Sequence, residues 1–112
     1  MKQLTFSKEI EKIILQSYTP SKVRKAMKLA LLLIKENGLQ ATDLQLRILA
    51  NHISSMVERS DANEKIEKVD QSLFGEVSQI SLDISRKIVE QIGNLNEDEI
   101  FILSIHFENL KY

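Results

Sequence analysis

The sequence predicts an all-α fold, a compact bundle of five or six helices, from three observations. Apolar residues recur at helical spacing in one segment after another. Three Gly, one Pro and 5% aromatic residues leave little material for a many-stranded sheet, while Leu, Ile, Lys, Glu and Gln favour helices. Capping residues stand where those segments begin. The chain of 112 residues, 43% hydrophobic, is one domain, long enough to bury about two thirds of its unfolded surface in a single core. Residues 1–20 are expected to form an N-terminal helix or arm, and residues 21–112 the helical domain proper.

Taken in order, the first helix starts after Ser7, an N-cap, and aligns Phe6, Ile10, Ile13, Ile14 and Tyr18 on one side. It ends before Thr19-Pro20, because proline disfavours helix in the residue before it; Ser21 is the expected cap of the second helix. That helix runs to about Glu36. Val23, Met27, Ala30, Leu31 and Ile34 form its main face, which Leu29, Leu32 and Leu33 widen. Gly38 is the expected stop. Thr42 with Gln45 makes a capping box for the third helix, which carries LRILANHISSMVER and ends near Ser60. Ser60 to Gln71 is polar and charged and reads as a loop, with only Ile66 and Val69 apolar. Leu73, Val77, Ile80, Ile84, Ile88 and Ile92 then follow helical spacing up to Gly93, with a break near Ser81 as an alternative to one long helix. Asn96, with Glu99 three residues on, suggests a capping box for the last helix. There Ile100, Leu103, Phe107 and Leu110 form one apolar arc, and Phe101, Ile102 and Ile105 a second. A helix apolar on two sides points to a dimer.

Charge and composition narrow the function. A net charge of −1 and a pI near 6.1 give no global cationic field, so neither nucleic acid nor an anionic membrane is expected as a partner. Lys22, Arg24, Lys25 and Lys28 make a local basic stretch that reads first as a solvated helix face. The absence of cysteine excludes a disulfide framework and fits a reducing compartment. No apolar signal core opens the chain, and the longest apolar run, Leu29 to Ile34, falls far below the about 20 residues of a membrane span. These features predict a soluble, cytoplasmic protein. Without a cysteine nucleophile, a glycine-rich phosphate loop or an HExxH pattern, hydrolase, nucleotide and zincin chemistry lack their parts, and no enzyme is expected. No cofactor is indicated. The two histidines could chelate a metal only with carboxylate help that nothing in the pattern specifies, so no metal site is expected.

What remains is the pair of histidines themselves. In the third helix, Leu46, Leu49, Ala50, Ile53, Met56 and Val57 recur as a buried stripe, and His52 falls about a quarter turn from its centre. Arg59, seven residues on, lies almost in line with His52. His106 sits between the two apolar arcs of the last helix. Both imidazoles are therefore margin residues, which packing can hold while a partner reaches them.

Together, ILANHISSMVER and EDEIFILSIHF resemble the two signature segments of the PTS regulation domain, the PRD. In the first, the histidine precedes Ile and is followed by Arg seven residues on; in the second, it lies in a helix with an acidic start. The likeness spans about Ser21 to Leu110, including the middle segment EVSQISLDISRKIVEQIGN. The resemblance implies a compact five-helix domain, usually dimeric. It also implies that His52 and His106 accept phosphoryl groups from the sugar phosphotransferase system, through the phosphocarrier HPr or an enzyme IIB component. Asn51, Arg59 and Glu99 would be supporting residues, with Arg59 folding back toward a phosphoryl group on His52. One departure is Asn51, where the family commonly has Asp before the first histidine; this removes a negative neighbour. Residues 1–19 are too short for the RNA-binding or DNA-binding module that often accompanies a PRD. The expectation is thus a stand-alone domain that binds a transporter component or another regulator. The alternative is a helical dimerisation or protein-binding module that keeps the fold without the phosphoryl chemistry.

Overall fold

A computed structural model describes residues 6–112, so the first five residues of the expected N-terminal arm lie outside it. Helix α1 spans Lys8–Gln16, α2 Pro20–Glu36, α3 Asp43–Ala62, α4 Gln79–Ile92 and α5 Asp98–Glu108. A 3-10 turn, Gln71–Phe74, precedes α4. No strand occurs among the described residues; Gln40 and Lys111 form an isolated antiparallel bridge. Among the described residues, the five-helix alternative of the expected bundle is the one observed.

Ser7 caps α1 as expected, its hydroxyl accepting from the Ile10 amide. Ile10 and Ile14 are fully buried, so α1 contributes to the core. The helix stops at Gln16, which puts Tyr18 out of phase and leaves it 85% exposed, contrary to its expected place on the buried face. Helix α2 begins at Pro20, one residue before the expected cap. Proline suits this first position because its missing N–H would have no helical partner anyway. Thr19 occupies the cap position, yet its hydroxyl donates to Asp61 on α3 and leaves the helix end without a side-chain cap. At the other end Gly38 adopts φ +70, Leu39 N–H donates to the Ile34 carbonyl and Gly38 N–H to that of Lys35. This is a Schellman closure, with the side chain of Leu39 turned into the core.

Both halves of the Thr42–Gln45 capping box are present. Helix α3 continues two residues beyond Ser60 and ends where Asn63 turns left-handed at φ 56. It packs against each of the four other helices, and its Ile53 and Met56 are fully buried. Residues 64–70 form the expected loop, anchored by half-buried Ile66 and Val69. The expected run from Leu73 to Ile92 breaks at Ser78, three residues earlier than Ser81. Ser78 accepts from the Ser81 amide as the N-cap of α4, and Leu73 lies 78% exposed beyond it. Ser81 is itself buried, donating to the Glu108 carboxylate on α5, which also accepts from the Ser78 hydroxyl and amide. Phe74 of the 3-10 turn stacks at 5.6 Å on Phe101.

Helix α4 ends at Gly93, whose φ +76 and ψ 169 lie in a region that essentially only glycine enters. A Cβ there would meet nothing within 4 Å, so the cost of substitution is backbone strain alone. Gly93→Ala should lower stability by about 1–3 kcal/mol, read as a shifted urea midpoint with unchanged slope.

Candidate functional site

The site lies where the margins of α3 and α5 meet. Leu49, Ile53, Met56 and Val57 bury one face of α3, and Ile100, Leu103 and Phe107 bury one face of α5. His52 and His106, just off those faces, are brought together with ring centroids 4.7 Å apart and planes tilted by 36°. Seven residues from each histidine comes a charged partner. Arg59 Nε and Nη2 donate to the two carboxylate oxygens of Glu99, both at 2.8 Å. Seven residues advance an α-helix by about 10 Å, so the contacts form two rungs between antiparallel helices, the imidazole pair on one and the ion pair on the other.

Burial differs between the rungs. The Glu99 side chain is 1% exposed and that of Arg59 22%. A carboxylate so enclosed requires a partner, and a bidentate guanidinium supplies both charge and directed donors. The imidazoles are half-buried, and His52 Nε2 is enclosed without a hydrogen-bond partner. Burial, reinforced by the neighbouring His106 and Arg59, pushes the His52 imidazole down to about 4. Burial likewise lowers His106 from its ordinary value. Both rings are therefore neutral at pH 7, and His52 offers a nitrogen that no protein group engages.

The structure unites four of the five expected site residues and redirects two. Glu99 forms no capping box with Asn96. Its carboxylate goes to Arg59, the Asn96 side-chain amide donates to the Ile66 carbonyl, and α5 begins at Asp98. Arg59 does not fold back onto His52, because Glu99 holds it. Asn51 stands apart: exposed, it donates to the Arg47 carbonyl one turn back on α3. Sequence reasoning missed the clamp beside Arg59, in which the Ser60 hydroxyl donates to the Gly93 carbonyl and Asn94 donates to the Ser60 carbonyl. Its only sequence signal was the helix stop at Gly93-Asn94. Two of the four cations of the basic stretch on α2 are paired, Lys22 with Asp61 and Arg24 with Glu11 through two hydrogen bonds. Among the described residues no group of three or more His, Cys, Asp or Glu is placed to hold a metal ion, and no helix is long and apolar enough to cross a membrane.

Residues 25–110, which include both rungs, match the family model of the PRD domain. The chain belongs to the PRD family. Its fold is also that of a PRD-containing transcription regulator from Lactobacillus casei ATCC 334. That crystal structure superposes with a TM-score of 0.90 at 36% identity, covering 95% of each chain. No curated protein matches the chain significantly. The PRD match begins within α2, so α1, with buried Ile10 and Ile14, and the first turn of α2, with buried Val23, lie outside it.

Proposed function

We propose that this PRD is a regulatory, non-catalytic domain of carbohydrate uptake. It accepts a phosphoryl group on His52 or His106 from a phosphotransferase-system component, HPr or enzyme IIB, and responds by changing its association with a second copy or another regulator. The observation that carries this reading is the contact of two neutral imidazoles at 4.7 Å on a helix margin. A neutral imidazole has the lone pair needed to attack a phosphohistidine or phosphocysteine, and an imidazolium does not. Because His52 Nε2 is enclosed, a donor reaches this nitrogen only after a local rearrangement of the site.

The consequence of transfer is electrostatic. A phosphoryl group brings about −1.5 to −2 of charge to a surface built for neutral rings. Arg59 is the nearby cation, and Glu99 engages only its Nε and Nη2. The Nη1 donors can meet the new charge, at the expense of the symmetry of the ion pair. That competition loads the α3–α5 contact and turns a local charge into a change of packing. Exposed Leu44 and Ile48 on α3 and Ile105 on α5 supply apolar surface for a protein partner, a second copy included.

Incubation with phosphoenolpyruvate, enzyme I and HPr, and separately with a phosphorylated enzyme IIB, tests the proposal by intact mass. An acid-labile phosphoryl increment is expected with one donor. Its absence with every donor leaves the fold as a dimerisation or protein-binding module without phosphoryl chemistry.

A further inference from the structure

We propose that Asn37-Gly38 is a self-modifying site, at which the asparagine converts to isoaspartate, and that the turn closing α2 gates the reaction. Neither the histidines nor any phosphoryl donor takes part. Asn37 is the one asparagine of the chain that glycine follows. Because Gly38 has no Cβ, its backbone nitrogen can close on the side-chain carbonyl carbon of Asn37 without steric hindrance. Gly38 is exposed and Asn37 half-buried, so water reaches the pair.

The chemistry needs no reactant besides water. The Gly38 amide gives its proton to solvent, its nitrogen forms a bond to Cγ of Asn37, and the Cγ–Nδ2 bond breaks as ammonia leaves with a proton taken from water. Water then opens the five-membered imide at either carbonyl. One opening leaves Asp at position 37; the other leaves isoaspartate, in which the main chain runs through the former side chain.

The folded turn opposes the first step in three ways. At the Asn37 ψ of 8, the Gly38 nitrogen is nearly eclipsed with the Asn37 backbone nitrogen, whereas the ring requires it eclipsed with Cβ. The Gly38 N–H, whose proton must leave, donates to the Lys35 carbonyl at 3.1 Å. The Asn37 side-chain amide is turned back along the helix, with Nδ2 donating to the Leu33 carbonyl at 2.8 Å. Leu39, its side chain 8% exposed and its amide donating to the Ile34 carbonyl at 2.9 Å, holds the turn shut. Reaction therefore follows local opening of this turn. Neither product restores it. A carboxylate at position 37 has no proton for the Leu33 carbonyl and sets negative charge at the negative end of α2. Isoaspartate adds a carbon to the main chain just before Gly38, which displaces Leu39 from the core and Gln40 from its bridge to Lys111. The modification thus loosens, irreversibly, the corner that holds the chain after α5.

Incubation of the whole chain at mildly alkaline pH, folded and in urea, tests both parts, with isoaspartate located by peptide mapping and by methyl labelling with an isoaspartyl methyltransferase. In urea Asn37 should convert faster than every other asparagine, and Gly38→Ala should abolish that preference. In the folded chain conversion should be slower by about tenfold or more. Leu39→Ala, and to a smaller extent Leu39→Val, should raise the folded rate and leave the rate in urea unchanged. In the wild type, low urea that quickens hydrogen exchange at the Leu39 amide should quicken conversion in step. Equal rates in the folded and unfolded chain overturn the gate, as does conversion that ignores exchange at Leu39. Absence of any preference for Asn37 in urea overturns the site itself.

Discussion

Arg59→Ala is expected to destabilise the domain by about 3–5 kcal/mol, the cost of stripping the partner from a buried charge. The pair is asymmetric in burial. Glu99 is 1% exposed and keeps its carboxylate in the core after the substitution, whereas Arg59, 22% exposed, can reach water when its partner is removed. Glu99→Gln should therefore cost less, about 1–3 kcal/mol, since the amide keeps an oxygen for the guanidinium and no bare charge is left inside. Removing both partners should cost less than the two single losses added together, because the stranded charge disappears with its partner. Urea unfolding of the three variants measures all of this. Equal losses for Arg59→Ala and Glu99→Gln would contradict the burial argument.

The second large effect is a loss of stability between pH 6.5 and 4. In the folded chain the His52 imidazole is pushed down to about 4, chiefly by burial and further by His106 and Arg59. The unfolded chain titrates near the ordinary 6.5. Above pH 6.5 both states hold a neutral ring and nothing is lost. As pH falls the unfolded state takes up a proton that the folded state refuses, so stability declines until pH reaches about 4 and then levels off. At about 1.36 kcal/mol per unit, and discounted for the partial exposure of the ring, the loss is about 2–3 kcal/mol. His106, lowered in the same direction, adds to it. Glu11, Asp61, Asp70 and Glu108 are held below the ordinary carboxylate range by their hydrogen bonds, so their contributions are lost at more acid pH, and they persist in a variant. His52→Gln with His106→Gln should consequently flatten the stability profile from pH 7 to 4.5. A variant profile as steep as that of the wild type would show that the imidazoles are not the groups being titrated.

The features legible in the sequence were those decided within a turn or two of chain. Ser7, the Thr42–Gln45 box, Gly38 and the margin positions of His52 and His106 all follow from local spacing, and the structure keeps each of them. The misreadings have a common cause, competition from distant partners. Asn96 and Glu99 have the spacing of a capping box, but Glu99 meets Arg59 from 40 residues away and a bidentate ion pair outweighs one cap. Leu73 continues the apolar period of α4 only on paper, because Ser78 ends the helix there and Glu108, 30 residues on, fixes that cap. Ser21 was the expected cap of α2, but Thr19 holds the cap position and its hydroxyl serves Asp61. The pairing of 52 with 106 and of 59 with 99 was nonetheless implicit in the sequence, as two equal seven-residue spacings that run in opposite order.

That paired spacing is also where the functional account is most exposed. Its most direct test is to locate the phosphoryl group after transfer from phosphoenolpyruvate through enzyme I and HPr or enzyme IIB, by fragmenting the protein under conditions that preserve phosphohistidine. The account predicts modification at His52 or His106 and at no other residue, with uptake lost in the double His→Gln variant. A phosphoryl group elsewhere, or undiminished uptake in that variant, would contradict it.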